Sequence, residues 1–194
     1  MAKIESGSPP YLDPIPFSSG RLLSDETFPL IVGFTCNKAG HPETQFKLDV
    51  TEWLTASHKG GALEAVRLGL AEVRLFLAAD RRVIGYGAIG PVDWTFGETI
   101  VPLWLLHYFG VHTDFRSAKF ADYRLSYGRR LLGGIIEEVV RRGDRKFIAL
   151  YVDPQNPARG NPETNTGFYP EFGFREIDAE VERGRTWVRM LRPL

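Results

Sequence analysis

Three side chains in this sequence have types and settings suited to acid–base chemistry: Tyr169, His107 and Glu72. One segment, Ser126-Tyr127-Gly128-Arg129, is suited to holding phosphate, because small residues at a strand-to-helix turn let backbone N–H groups and the helix's positive end face an anion. A phenol has an ordinary pKa of about 10, so Tyr169 stays protonated at neutral pH and can serve as an acid. An imidazole titrates at about 6.5, which suits a base. His107 lies in Leu105-Leu106-His107-Tyr108-Phe109-Gly110-Val111, where alternation puts odd-numbered side chains on one face and makes His107 the only ionisable one there. A histidine satisfied by a backbone partner fits the same position. Glu72, on the preceding hairpin, is the other base candidate, and His112 faces the loop at the strand's exit.

The elements that position these residues follow from periodicity. Leu131, Leu132, Ile135, Ile136, Val139 and Val140 form the stripe of a helix packed on a sheet, from about Tyr127 to Arg142. Arg141 and Arg142 complement its C-terminal dipole, and Gly143 suits the residue after it. Apolar runs at Thr99–Val111 and Lys146–Val152 flank this helix, so the spacing predicts two parallel strands joined by a right-handed crossover. Ala71–Ala79 and Val83–Ile89 form a hairpin around Asp80-Arg81-Arg82, and Arg175–Ile177 and Arg185–Leu191 form another. Before these, Pro29–Thr35 reads as a strand. Asp49 with Glu52 reads as the capping box of a helix carrying Val50, Trp53 and Leu54, and Ala62–Leu70 follows Gly60-Gly61 as a second helical piece. Residues 90–98 read as a pocket-forming loop, and 153–165 as a Pro/Asn loop.

Gly85-Tyr86-Gly87-Ala88-Ile89-Gly90 has the spacing G-x-G-x-x-G, yet Pro91-Val92-Asp93-Trp94 follows instead of a helix. A dinucleotide site needs that helix, so the segment is a strand whose small residues admit a close neighbour. Tyr123-Arg124-Leu125-Ser126-Tyr127-Gly128, followed by Leu131-Leu132, resembles the pyrophosphate-binding Q/R-x-x-G-x-G/A turn and helix of the GCN5-related N-acetyltransferases (GNAT). Gly128 matches the last small position, Ser126 stands where glycine is usual, Tyr123 replaces the usual Arg or Gln, and the loop from Ser117 to Asp122 is longer than the family's. Phe168-Tyr169-Pro170-Glu171-Phe172-Gly173-Phe174 resembles the family's FYxxxGF signature. The resemblance covers about Ala71 to Leu191. It implies a GNAT-like α/β fold, a mixed twisted β-sheet flanked by helices, with acetyl-CoA as co-substrate. Tyr169 would protonate the leaving thiolate, with His107 or Glu72 as base. The implied coenzyme contacts are Val111, Tyr123, Arg124, Leu125, Ser126, Tyr127, Gly128, Arg129, Asn161 and Asn165, with the Val111 amide facing the acetyl carbonyl where two strands splay.

Composition narrows the partners. Twenty-four Lys and Arg balance 24 Asp and Glu over 194 residues, so the basic excess of a nucleic-acid binder is missing. The one cysteine, Cys36, allows no intrachain disulfide, which fits a reducing cytoplasm, and its setting suits a packed thiol rather than a nucleophile. No apolar run approaches the roughly 18 residues a membrane span needs, no h-region follows Lys3, and no metal site is expected. Residues 1–27, rich in Pro, Ser and Gly, read as an irregular N-terminal arm, and 28–194 as a single acetyltransferase-like domain.

The expected reaction is acetyl transfer from acetyl-CoA to a primary amine, small-molecule or peptide, by direct attack. Alternatives are a non-catalytic acyl-CoA-binding module, and toxin-like acetylation of aminoacyl-tRNA, because Phe34-Thr35-Cys36, Leu48-Asp49 and Trp53-Leu54, followed by Gly85-Tyr86, resemble the branch containing tRNA-acetylating toxins. Trp53, Trp94, Phe96 and Trp104 are candidate acceptor-pocket walls. A homodimer is common in the family, and 186–191 offers an edge for one.

Overall fold

A computed structural model describes residues 13–36, 45–57, 59–116, 126–154, 167–182 and 184–194, apart from the side chains of 45–49. Its centre is one mixed seven-stranded sheet. The strands are β1 (Arg21–Leu22), β2 (Glu72–Leu77), β3 (Val83–Phe96), β4 (Thr99–Val111), β5 (Phe147–Val152), β6 (Arg175–Glu182) and β7 (Arg185–Pro193), and the helices are α1 (Gln45–Thr55), α2 (Ala62–Arg67), α3 (Tyr127–Arg142) and α4 (Phe168–Glu171). The order across the sheet is β1-β2-β3-β4-β5-β7-β6, with β4 and β5 parallel and every other pair antiparallel. The sheet is therefore mixed and flanked by helices, as expected.

The helix α3 has the expected bounds, but Val140 of the expected stripe is exposed, because it falls at the last turn past the edge of the sheet-facing side. Ser126 caps its start, accepting from Arg129 N at 3.3 Å, and Gly143 ends it in the left-handed conformation at φ 65°. Its stripe of Leu131, Leu132, Ile135 and Val139 is fully buried against the sheet. Fully burying one such side chain contributes about 1.5–3 kcal/mol. The glycines of the G-x-G-x-x-G segment sit on β3, where side chains would collide with that helix. A Cβ at Gly87 would lie 2.5 Å from Ile135, and one at Gly85 would lie 3.0 Å from Leu131. They seat a helix, as their strand context requires.

The opposite face carries α1 and α2 over a second core that includes Leu54, Leu63, Val73 and Tyr86. Several expectations fail in this half. Phe28–Ile31 is a 3-10 helix, not a strand, because Pro29 sits in its first turn and Gly33 at φ 78° turns the chain. Asp49 lies inside α1, which opens at Gln45, so it is not the cap. Residues 90–96 continue β3 instead of looping, and their partners run from Gly90↔Leu105 to Phe96↔Thr99. The described part of the N-terminal arm lies against the body. Phe17 is buried, Ile15 N donates to Arg130 O at 3.0 Å, and Arg21–Leu22 adds β1 to the sheet edge. The strand β7 pairs on both sides, so 186–191 offers no edge, and β6 lies outermost there.

Candidate active site

The site begins with an irregularity in β4. Partners in β3 and β4 run in one register as far as Ala88↔Tyr108 and resume as Ile89↔Leu106, so His107 is an extra residue and forms a β-bulge. The bulge reverses the alternation. Trp104, Leu106 and Val111 belong to the core under α3, and Phe109 packs on it. Leu103 and Leu105 belong to the opposite face. Tyr108 also packs on that face. The expected odd-numbered face is thus wrong, because the alternation rule assumes an unbroken ladder. His107 lies with Leu105 and Tyr108. Gly90 opposes Leu105, and a Cβ on Gly90 would fall 2.7 Å from His107 Nε2.

Beside the bulge the sheet opens. The strands β4 and β5 pair only at Trp104↔Ile148, Leu105↔Ala149 and Leu106↔Leu150. Beyond these, β5 stays with β7 while β4 stays with β3. His112 N donates to Ile84 O at 2.8 Å, so the two-residue period turns the N–H groups of Val111 and Phe109 away from β3 toward the parted side. Burial raises the pKa of the nearby Cys36 thiol. Arg116 Nε donates to Val111 O at 3.2 Å. Arg116 thus stands beside Val111 at the far end of the gap, and Phe109 N–H lies between it and the last β4–β5 pair, Leu106↔Leu150.

A cavity of about 280 Å³ occupies the opening. Its walls come from both faces of the sheet. Leu106, Phe109, Leu150 and Tyr169 line it on the α3 side. On the opposite side Val50, Leu105, His107, Tyr108 and Tyr151 join Trp187 and Glu182, which alternate with the α3-facing Val188 and Met190 and with their partners. Side chains from both faces of the sheet thus line the cavity, and it brings together two of the three residues that sequence nominated for acid–base chemistry.

Their surroundings set their protonation. Tyr169 lies on α4, buried between Phe168 and Phe174, and burial holds its phenol well above the ordinary value. It is a neutral O–H donor at any physiological pH. Burial lowers the His107 imidazole below its usual value, and Nε2 finds no hydrogen-bond partner among the described residues. The ring is therefore neutral at neutral pH, with Nε2 enclosed by protein. Glu72 is placed differently. Its carboxylate accepts from Arg142 at 2.7 Å and from Arg74 at 2.6 Å, and these bonds outweigh burial, the largest single influence, to hold it below the usual carboxylate range. It ties β2 to the C-terminal end of α3, away from the cavity.

The α3 start stands on the Tyr169 side. Val111 and Phe168 lie 3.7 Å from where a Gly128 Cβ would be. Arg129, buried in the first turn, ion-pairs with Glu171 of α4 and so ties the helix mouth to the segment that carries Tyr169. The resemblance implies Arg129 as a coenzyme contact and gives no sign of this carboxylate partner. Tyr123, Arg124, Leu125, Asn161 and Asn165 lie outside the described residues.

The aromatic walls also differ from expectation. Trp104 packs under α3, with its Nε1 donating to Asp144 at 2.9 Å. Trp94 and Phe96 flank Arg189. Trp53 stacks on Tyr108 with ring centroids 4.3 Å apart, but it lines a separate recess at the end of α1. The cavity uses Tyr108, Tyr151 and Trp187 instead. Among the described residues no three His, Cys, Asp or Glu side chains cluster to hold a metal, and no helix is long and apolar enough to cross a membrane.

Neither a protein-family model nor a curated protein matches the chain. Solved structures do. A mutant of the toxin AtaT bound to the C-terminus of the antitoxin AtaR superimposes with TM-score 0.57 at 13% identity, over 89% of this chain and 91% of that one. A chimera of spermidine N-acetyltransferase SpeG from Vibrio cholerae and hSSAT superimposes with TM-score 0.53 at 15% identity, over 89% of this chain and 93% of that one. At such identities the likeness speaks for architecture. The seven-stranded mixed sheet, opened between β4 and β5 beside the start of α3, is the GNAT acetyltransferase fold, and this chain has it.

Proposed function

We propose that this protein is an N-acetyltransferase that moves an acetyl group from acetyl-CoA to a primary amine by direct attack. The cavity lined from both faces of the sheet carries the reading, because it offers a place where two reactants would meet between a buried phenol and a neutral imidazole. The diphosphate of the coenzyme would sit at the start of α3, where the Gly128 N–H and the helix dipole favour an anion. A Gly128 Cβ would make only ordinary contacts with the protein, so packing alone does not require glycine there.

In this scheme Phe109 N–H donates to the acetyl carbonyl oxygen as negative charge develops on it. The new N–C bond forms as the C–S bond breaks. His107 takes the proton from the nitrogen, which becomes acidic once it bonds to the carbonyl carbon. Because Nε2 is seated against Gly90, Nδ1 is the nitrogen assigned to this transfer. Tyr169 gives its phenolic proton to the departing sulfur, and the products are an acetamide and free CoA. Glu72, held by two arginines, is not assigned the base role.

The test is a thiol-release assay with acetyl-CoA over a panel of amines, with a thermal-shift measurement alongside. Release that depends on the amine, and that Tyr169→Phe slows, supports the reading. A raised Tm without turnover would instead support a non-catalytic acyl-CoA-binding module. Turnover confined to aminoacyl-tRNA would narrow the acceptor to that class.

A further inference from the structure

The acceptor half of the cavity has a composition that selects among amines. This step rests on the acetyl-transfer reading and concerns only what lies on the face opposite α3. There Val50, Leu105, Tyr108, Tyr151 and Trp187 supply apolar and aromatic surface. Glu182 is the single carboxylate in the wall among the described residues, and His107 is the only other ionisable side chain besides the phenols. Burial keeps the imidazole neutral. Two nearby acids have partners outside the cavity or on its rim. Asp153 accepts from Arg185 at 2.8 Å, and Glu180 accepts from the Tyr151 hydroxyl at 3.2 Å and lies 3.9 Å from Arg189. The Arg185 guanidinium stacks 4.2 Å from the centroid of Trp187, so the mouth already holds a cation.

A polycationic acceptor needs an excess of carboxylates to replace the water around each charge, because a desolvated unpaired ammonium costs several kcal/mol. Among its described residues this wall offers one. An apolar body needs flat, low-entropy hydrocarbon surface, which two phenols and an indole provide. We infer that the acceptor is a monoamine whose nitrogen is carried on an apolar aryl or branched alkyl body, and that Trp187 is the residue that selects for it. That chemistry occurs both in free aralkylamines and in the α-amine of an apolar amino-acid derivative.

Three acceptors separate the outcomes with the full chain and acetyl-CoA: 2-phenylethylamine, phenylalaninamide and spermidine. Either aromatic amine should exceed spermidine in kcat/KM by at least tenfold. The better of the two identifies the source of the body, free amine or amino-acid derivative. Trp187→Ala should raise KM for the preferred aromatic amine about tenfold with little change in kcat, and Trp187→Phe should restore most of it. Equal or better use of spermidine would overturn the inference while leaving acetyl transfer standing. So would a Trp187→Ala enzyme that loses kcat rather than KM at unchanged Tm. No turnover with any amine, together with no thermal shift from acetyl-CoA, would instead defeat the acetyl-transfer reading beneath it.

Discussion

The two buried titratable groups of the cavity make opposite demands on pH, and that separates them experimentally. His107 has its imidazole lowered by burial, so the base form should persist below the ordinary histidine value. The acid limb of kcat should therefore fall at a pH below about 6.5, and His107→Gln should remove that limb and cost about 10²-fold in kcat. Stability carries the same sign. The unfolded chain protonates His107 more readily than the folded one, so stability drops as pH falls below the ordinary histidine value. In His107→Gln this part of the acid loss should be absent from a series of urea melts. Tyr169 has no alkaline limb within reach, because its phenol stays protonated throughout the physiological range. Tyr169→Phe should lower kcat by about 10- to 100-fold while leaving the affinity for acetyl-CoA within threefold, measured by calorimetry beside initial rates.

Elements position these groups, and they can be loosened one at a time. Ser126→Ala removes the cap of α3 and should cost about 1 kcal/mol in chemical denaturation. Gly134 is more sensitive: a Cβ there would fall 1.7 Å from the Ile15 carbonyl, so Gly134→Ala must push the N-terminal arm off the helix. It should lower stability by about 1–3 kcal/mol, with faster proteolysis before Phe17 than elsewhere. Which elements the sequence disclosed follows from the same physics. Helix α3 and strand β4 carry long, unbroken patterns and were legible nearly to the residue. The 3-10 turn at Phe28–Ile31 imitated a strand, because four apolar residues in a short run have no period to read. The bulge at His107 left no local signal, since it is a mismatch between two strands. Tyr169 was legible through its family motif. Trp187 and Tyr151 were not, because their role depends on β4 and β5 parting at Leu106↔Leu150. With alternation, a reader could place Trp187 opposite Val188 and Met190, but not beside a cavity.

At the scale of the molecule, hydrophobic cores lie on both faces of one sheet, and charge ties its rim to α3. Glu72, Arg74, Glu138 and Arg142 join β2 to the end of α3. The Glu72 carboxyl sits below the usual carboxylate range, so its contribution is present above that range and lost as pH falls through its folded value. Glu72→Gln should destabilise the protein by about 1 kcal/mol at neutral pH and progressively less in acid, with amine turnover unchanged, as Tm across pH would show. The opening in the sheet is the feature on which the proposed function depends: β5 follows β7, β4 follows β3, and residues of both sheet faces line the space between them. Calorimetric titration of the full chain with acetyl-CoA tests that claim most directly. A saturable heat of one equivalent, with Leu106→Trp weakening it at least tenfold by filling the passage, is the expected result. No heat, or binding indifferent to Leu106→Trp in a folded variant, would contradict the account.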